Sequence, residues 1–221
     1  VYGETCPQYL FLSEEDFEKP GDEGSKCVCS PPPRGTDNQE HIWTGLSANT
    51  FQVLSSDHAA FRYDDVRGKK LPGAAQSFRK IPNGVPGVET RLPLLFSEGV
   101  NKGRITLQQF VALSSTNAAK IYGLHPRKGT IAVGADADIV LWDPARKVSL
   151  TNSILHHNCD YTPYEGRELT GYPVMTFSRG EVVMEEARMS GAAGRGQFLK
   201  CDRPLPAMPR GKPLIDPSIF S

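Results

Sequence analysis

The sequence lacks several features that would assign it at once to a class of proteins. None of its apolar runs approaches the roughly 20 residues that cross a bilayer, and the longest lies near residues 92–96. The 25 Lys and Arg residues balance the 25 Asp and Glu residues, and the longest basic cluster is at residues 67–70. Nucleic acid and membranes are therefore not expected partners. Because no signal peptide is recognisable either, we expect a soluble cytoplasmic protein.

Cysteine and histidine do not form an evident metal or disulfide pattern. The five cysteines are an odd number spread along the chain, which does not suggest a disulfide framework. Cys27 and Cys29 have the wrong spacing for a zinc knuckle and are interpreted as buried thiols. His156 and His157 are interpreted as structural, because neighbours in an extended segment face opposite ways. The glycines of residues 191–196 lack the strand and helix that flank a dinucleotide fingerprint.

A carboxylate follows the most strand-like stretch of the first half of the chain. Residues 51–56 combine apolar, aromatic and β-branched side chains after turn-forming residues, which predicts a buried strand. Asp57 stands at the C-terminal end of that strand. In (β/α) barrels, catalytic groups and metal ligands occupy this position. Position alone leaves open the alternative that Asp57 caps a turn.

The residues around this strand predict a βαβ unit. Residues 26–30 are strand-like and end against three prolines. Thr36 and Gln39 have the spacing of a capping box, which predicts a helix from residue 37 to about residue 47. With the strand at residues 51–56, this order predicts two parallel strands joined by a right-handed crossover.

Two further helices are predicted before residue 126. Residues 89–100 are apolar on one face but contain Pro93, which predicts a helix that begins late or is kinked. Thr106 and Gln109 form a second capping-box pattern, and Gly123 is placed to end the helix that follows. A possible new cap near residues 115–117 would divide that helix into two.

The composition changes after Pro126, where short strand-like runs replace the helical patterns. These runs, separated by turn residues, are residues 130–133, 137–142, 147–150, 173–178 and 181–185. They predict a small all-β domain, with a hairpin turn at residues 178–181. From residue 191 glycine and then proline dominate, which predicts a tail lying extended on a neighbouring surface.

Six separate stretches together resemble the signatures of one enzyme family. In chain order they are Gly-Glu-Thr-Cys-Pro-Gln-Tyr-Leu (3–10), Ser-Pro-Pro-Pro-Arg (30–34), Ser-Asp-His (56–58), Ile-Pro-Asn-Gly-Val-Pro-Gly-Val-Glu (81–89), Gly-Thr-Ile-Ala-Val-Gly-Ala-Asp-Ala-Asp (129–138) and Asp-Tyr-Thr-Pro-Tyr-Glu-Gly (160–166). In this order they resemble the dihydropyrimidinase and hydantoinase branch of the cyclic amidohydrolases.

The resemblance implies an α/β fold and a division of the chain. Residues 1–127 would be the C-terminal portion of a TIM-type (β/α)8 barrel, and residues 128–190 part of a small β-sandwich. The Gly/Pro-rich tail of residues 191–221 would make oligomer contacts. The match implies that this chain is the C-terminal part of such an enzyme and is inactive alone. The expected partners are a homo-oligomer, a tetramer as in the family, or a complementing N-terminal half.

The resemblance also implies the site residues. Family members carry a binuclear zinc site, and only its last aspartate has a counterpart here, Asp57, which would ligate zinc and take the proton of the nucleophilic water. Ser30 and Asn83 would hold the cyclic amide, largely through their backbone, on loops stiffened by proline. His58 would either orient Asp57 or the substrate without ligating the metal itself, or be an ordinary loop histidine. The long irregular stretch of residues 62–86 is interpreted as functional.

The implied reaction is hydrolysis of the cyclic amide bond of 5,6-dihydropyrimidines or 5-substituted hydantoins to N-carbamoyl amino acids. A hydroxide bridging two zinc ions would attack the polarised carbonyl. The alternative is a non-catalytic dihydropyrimidinase-like scaffold protein. Such proteins belong to the same family and have lost their metal ligands. Asp57 favours the enzyme, since a scaffold has no reason to retain a carboxylate there.

Overall fold

The protein is a mixed α/β chain, described here from a computed structural model. The structure describes residues 1–204. Residues 205–221, the greater part of the predicted tail, lie outside that range. Among the described residues, no helix is both long and apolar enough to cross a membrane.

The first 80 residues contain short elements joined by ordered loops. They are β1 (Glu4–Thr5), α1 (Gln8–Phe11), α2 (Asp37–Ser47), β2 (Val53–Leu54) and 3₁₀ turns at Glu14–Glu18, Glu23–Cys27, Ala74–Gln76 and Phe78–Lys80. β1 and β2 run parallel, with Glu4 opposite Val53 and Thr5 opposite Leu54. The strand predicted at residues 51–56 is thus confirmed as a shorter strand that ends at Leu54, three residues before Asp57.

The strand predicted at residues 26–30 is wrong, and the parallel partner of β2 is β1 instead. Glu23–Cys27 forms a 3₁₀ turn. The carbonyl of Val28 accepts hydrogen bonds from the Gly84 amide at 3.0 Å and the Lys69 amine at 2.8 Å. Because distant residues satisfy this carbonyl, the segment does not need a neighbouring strand.

Of the two predicted capping boxes, the one at Thr106 forms and the one at Thr36 does not. Thr106 and Gln109 form theirs: the Gln109 amide donates to Thr106 Oγ1 at 3.1 Å, and the Thr106 amide donates to Gln109 Oε1 at 2.8 Å. The box at Thr36 is wrong, although its helix begins at Asp37 as predicted. Thr36 has a helical backbone, and Gln39 donates its side-chain amide to the carbonyl of Leu12 at 3.1 Å.

The helices after residue 90 are interrupted by π turns. They are α3 (Arg91–Leu95) with a π turn at Phe96–Val100, and α4 (Leu107–Val111) joined to α5 (Asn117–Ile121) by a π turn at Ala112–Thr116. Pro93 lies in the first turn of α3, where its missing N–H costs no helical hydrogen bond. The late start predicted for this helix is confirmed. The π turn keeps the chain helical where a new cap was considered, and Gly123 follows with a φ of +70°.

The predicted small β region forms one antiparallel sheet. Its strands are β3 (Ile139–Ser149), β4 (Glu168–Ser178), β5 (Glu181–Glu185) and β6 (Arg188–Met189), in the order β3-β4-β5-β6, with a 3₁₀ turn at Asn152–Ile154. Arg179 and Gly180 both have positive φ and form the predicted hairpin turn. The strand predicted at residues 130–133 is wrong, because a turn closed by a hydrogen bond from Ala135 to Ala132 occupies that stretch.

One apolar core joins the parallel pair, the helices and the sheet. It includes Leu54 of β2, Trp43 of α2, Phe96 after α3 and Leu169 of β4, all at most 5% exposed. Leu54, the last residue of β2, therefore anchors this strand in the packed interior.

Candidate active site

Asp57 lies at the C-terminal end of β2, as its sequence position predicts. Beyond the last paired residue of β2, the Ser55 amide donates to the carbonyl of Thr5 at 2.9 Å, which extends the contact between the two strands. Asp57 is exposed and has a φ of +45°. A non-glycine residue in this region is uncommon, and such backbone conformations cluster at functional sites.

The Asp57 carboxylate is held by a buried glutamine that sequence reasoning did not single out. Gln8, the first residue of α1, is fully buried, and its Nε2 donates to Asp57 Oδ2 at 3.1 Å. No hydrogen bond to Gln8 Oε1 or Asp57 Oδ1 occurs within residues 1–204. Gln8 thus fixes one oxygen of the carboxylate and leaves the other available. The signal was its position in the stretch 3–10, directly after a strand that pairs with β2.

Two further contacts brace the end of β2. Arg91 Nη1 donates to the carbonyl of Leu54 at 2.6 Å, and Cys6 Sγ lies 3.1 Å from Ser55 Oγ. Burial raises the pKa of the Cys6 thiol, so this group is neutral near pH 7. Arg91 and Cys6 therefore hold Leu54 and Ser55, the residues that precede Asp57.

His58 holds a loop rather than Asp57. Its Nδ1 accepts hydrogen bonds from the amides of Gly87 and Val88 at 3.1 and 3.3 Å. His58 also forms a β-bridge with Val85, next to which the Ala59 amide donates to the Val85 carbonyl at 3.0 Å. Two amide donors at Nδ1 place the imidazole proton on Nε2. His58 thus connects the strand-end segment to the loop that carries Asn83.

Ser30 and Asn83 line the same cavity. It has a volume of about 1130 Å³, and Cys29, Lys69 and Phe78 are among its other lining residues. Both Ser30 and Asn83 are exposed. Asp57 is not a lining residue of this cavity. The structure therefore brings two of the predicted site residues together and leaves Asp57 at the separate end of β2.

The two neighbouring histidines make structural contacts, as their sequence position indicates. His156 Nδ1 lies 2.7 Å from Glu89 Oε1, and its Nε2 lies 2.8 Å from the carbonyl of Ala187. The hydrogen bond to Glu89 raises the pKa of His156, whereas burial lowers the pKa of His157. The His157 ring packs edge-on against that of His58, with centroids 6.2 Å apart.

Within residues 1–204, no group of three or more His, Cys, Asp or Glu side chains could hold a metal ion. A carboxylate oxygen is an acceptable zinc ligand, and Asp57 offers one. Catalytic zinc sites use about three protein ligands. The described residues therefore supply one candidate ligand rather than a complete site.

The sequence was also compared with known protein families. Residues 24–183 match the model of the amidohydrolase family. The chain belongs to this family. The match spans the strand end with Asp57, the cavity with Ser30 and Asn83, and most of the antiparallel sheet.

Individual relatives are hydantoinases and dihydropyrimidinases. The chain is 49% identical over 200 residues to the D-hydantoinase of Geobacillus stearothermophilus, covering 90% of this chain and 42% of that protein. It resembles the solved D-hydantoinase of Bacillus sp. AR9 with a TM-score of 0.87 at 49% identity, covering 91% of this chain and 43% of that one. The dihydropyrimidinase of Brevibacillus agri NCHU1002 also gives a TM-score of 0.87, at 46% identity, with 92% and 44% covered. This amidohydrolase is thus similar to hydantoinases and dihydropyrimidinases, and it spans less than half the length of these relatives.

Proposed function

We propose that this amidohydrolase takes part in opening the cyclic amide ring of 5,6-dihydropyrimidines or 5-substituted hydantoins to N-carbamoyl amino acids. The observation that carries the proposal is the Asp57 carboxylate at the end of parallel strand β2, held by Gln8 at 3.1 Å. In the barrel fold expected of such enzymes, with residues 1–127 as its C-terminal portion and residues 128–190 in the small β domain, this position faces the substrate.

In the proposed reaction, Asp57 moves one proton. Water attacks the ring carbonyl carbon, and the carboxylate accepts the proton that the water loses. The C–N bond of the ring then breaks, and Asp57 returns the proton to the departing nitrogen. The products are a carboxylic acid, which releases its remaining proton to solvent, and an N–H of the ureido group, so one water is consumed and Asp57 is regenerated. General base and acid catalysis of this kind contributes about 10² to 10⁴ in rate.

The metal that the family implies would lower the pKa of water and polarise the carbonyl. Asp57 is the proposed ligand among residues 1–204, and its Oδ1 is the oxygen without a hydrogen bond. Gln8 keeps the carboxylate from rotating by binding the other oxygen. We infer that Ser30 and Asn83 hold the ring amide, because they share a cavity wall on loops stiffened by neighbouring prolines.

The scaffold alternative is disfavoured by the same contact. The buried Gln8 side chain donates to an exposed carboxylate, at a residue with a φ of +45°, and this contact does nothing evident for folding alone. Such strain is typical of functional sites.

The proposal is tested by Asp57→Asn in the natural protein. Asparagine preserves size but cannot accept the proton, so we expect the turnover of dihydrouracil and of a 5-substituted hydantoin to fall by about 10² to 10⁴. Asp143→Asn, an exposed change in β3, is the matched control and should leave turnover unchanged. Near-normal turnover of Asp57→Asn with its metals in place would show that Asp57 does not carry the proton.

A further inference from the structure

Lys69 is a buried lysine that the proposed chemistry does not use. Its side chain is only 1% exposed, although lysine is almost never fully buried unless it has partners. Its Nζ donates to the carbonyls of Val28 at 2.8 Å and Pro82 at 2.7 Å. No carboxylate of the described residues forms an ion pair with it. Among residues 1–204, the ammonium group is therefore held by backbone carbonyls alone.

The two carbonyls belong to the segments that carry the proposed substrate contacts. Val28 stands two residues before Ser30, and Pro82 directly precedes Asn83. Between these segments, residues 1–204 show one direct backbone hydrogen bond, from the Gly84 amide to the Val28 carbonyl at 3.0 Å. Lys69 binds the same Val28 carbonyl and adds the link to Pro82. Lys69 thus adds a second link, through its Nζ, between the two segments.

The backbone around Lys69 is itself fixed. The Lys69 amide donates to the carbonyl of Arg62 at 2.8 Å. Asp160 accepts from the amides of Tyr63 and Asp64 at 2.6 and 2.9 Å. Gly68 permits this close packing, since a Cβ there would lie 2.1 Å from the Arg62 carbonyl oxygen. The Lys69 backbone is therefore held by contacts outside the two segments that its side chain binds.

The neighbouring thiols do not neutralise the ammonium. Burial raises the pKa of both Cys27 and Cys29 to about 11, so both are uncharged near pH 7. An unpaired buried charge costs free energy. A neutral apolar side chain of similar size would avoid that cost but could not join the two carbonyls. Joining the carbonyls of Val28 and Pro82 is thus the role consistent with a lysine at this position.

We propose that Lys69 is a positioning residue that fastens the Ser30 and Asn83 segments to each other and so sets the two sides of the substrate contact. This inference rests on the proposed function. Backbone groups that are already ordered need no further ordering when the substrate binds, which favours affinity. Since Ser30 and Asn83 would hold the ring equally in the ground and transition states, loosening them should weaken binding without slowing the chemistry.

The test is Lys69→Met in the intact natural protein, compared with Lys102→Met. The control makes the same chemical change at an exposed surface lysine paired with Glu98. For Lys69→Met we expect KM to rise by roughly tenfold while kcat stays within about twofold, the signature of lost uniform binding. Lys102→Met should leave both constants unchanged. An unchanged KM, or a fall in kcat alone, would overturn the inference.

Hydrogen exchange provides a readout that does not depend on activity. The Gly84 amide, bound to the carbonyl that Lys69 shares, should exchange faster in Lys69→Met than in the wild type, and the control should not differ. Equal protection in both variants would also overturn the inference. If the wild type opens no cyclic amide, the proposed function fails, while exchange at Gly84 still decides whether Lys69 fastens the loops. If Lys69→Met does not fold, Lys69→Leu, which likewise has no N–H donor, takes its place with the same readouts.

Discussion

Because the Lys69 amine is buried, the free energy of unfolding of the protein should vary with pH in the alkaline range. Burial lowers the pKa of Lys69 from its ordinary value of 10.5 to about 8. The folded pKa thus lies below the unfolded one, so between pH 8 and 10.5 the unfolded chain binds more protons than the folded chain. The contribution of Lys69 to the free energy of unfolding therefore rises with pH across that window, and it is lost as the pH falls through 8.

The size of the effect follows from the two pKa values. One pKa unit corresponds to about 1.4 kcal/mol, so the lowering corresponds to roughly 3 kcal/mol. This is an upper estimate, because water that reaches the amine reduces the effect. The measurement is urea unfolding of the wild type and Lys69→Met at several pH values from 7 to 10.5, followed by the fluorescence of Trp43 and Trp142.

Subtracting the two unfolding free energies removes the titration of every group that the variants share. We expect the free energy of unfolding of the wild type, minus that of Lys69→Met, to increase as the pH rises, with most of the increase above pH 8. Lys102→Met, the same chemical change at an exposed lysine, is measured in parallel as the control. A flat or falling difference for Lys69→Met would refute the reasoning that burial has lowered this pKa.

Three further substitutions test local features of the fold and the site. Thr106→Ala removes the helix cap of α4 and should cost about 1 kcal/mol in urea unfolding, and no loss would contradict the capping assignment. Gly84→Ala should destabilise by roughly 1–3 kcal/mol or more, because its φ is +128° and its Cβ would lie 2.2 Å from that of Ala59. Wild-type stability would show that the backbone differs there. Gln8→Leu should lower kcat about tenfold or more with little change in unfolding, whereas unchanged kcat would show that Gln8 does not orient Asp57.

Local patterns predicted the elements that depend on neighbouring residues. The cap at Thr106, the hairpin turn at Arg179 and Gly180, and the end of α5 before Gly123 each form from residues within four positions of one another. At Thr36 the box does not form: Thr36 has a helical backbone, and the Gln39 side chain binds the carbonyl of Leu12, which is distant in sequence. Local patterns do not report contacts between residues so far apart.

The candidate site was only partly predictable for the same reason. Resemblance named Asp57, Ser30 and Asn83, and the position of Asp57 at a strand end followed from the apolar run before it. The contacts of Gln8 with Asp57 and of Lys69 with Val28 span 49 and 41 residues. No periodicity or spacing rule reports such pairs. The burial of Lys69 was not predictable, because a lysine in an irregular loop is usually exposed.

The central claim is that the protein opens cyclic amide rings. It is tested most directly by incubating the intact natural protein, loaded with metal, with dihydrouracil and separately with a 5-substituted hydantoin. Mass spectrometry would then show whether the substrate gains one water. We predict an N-carbamoyl amino acid from at least one of the two substrates. A folded, metal-loaded protein that leaves both rings closed would contradict the claim.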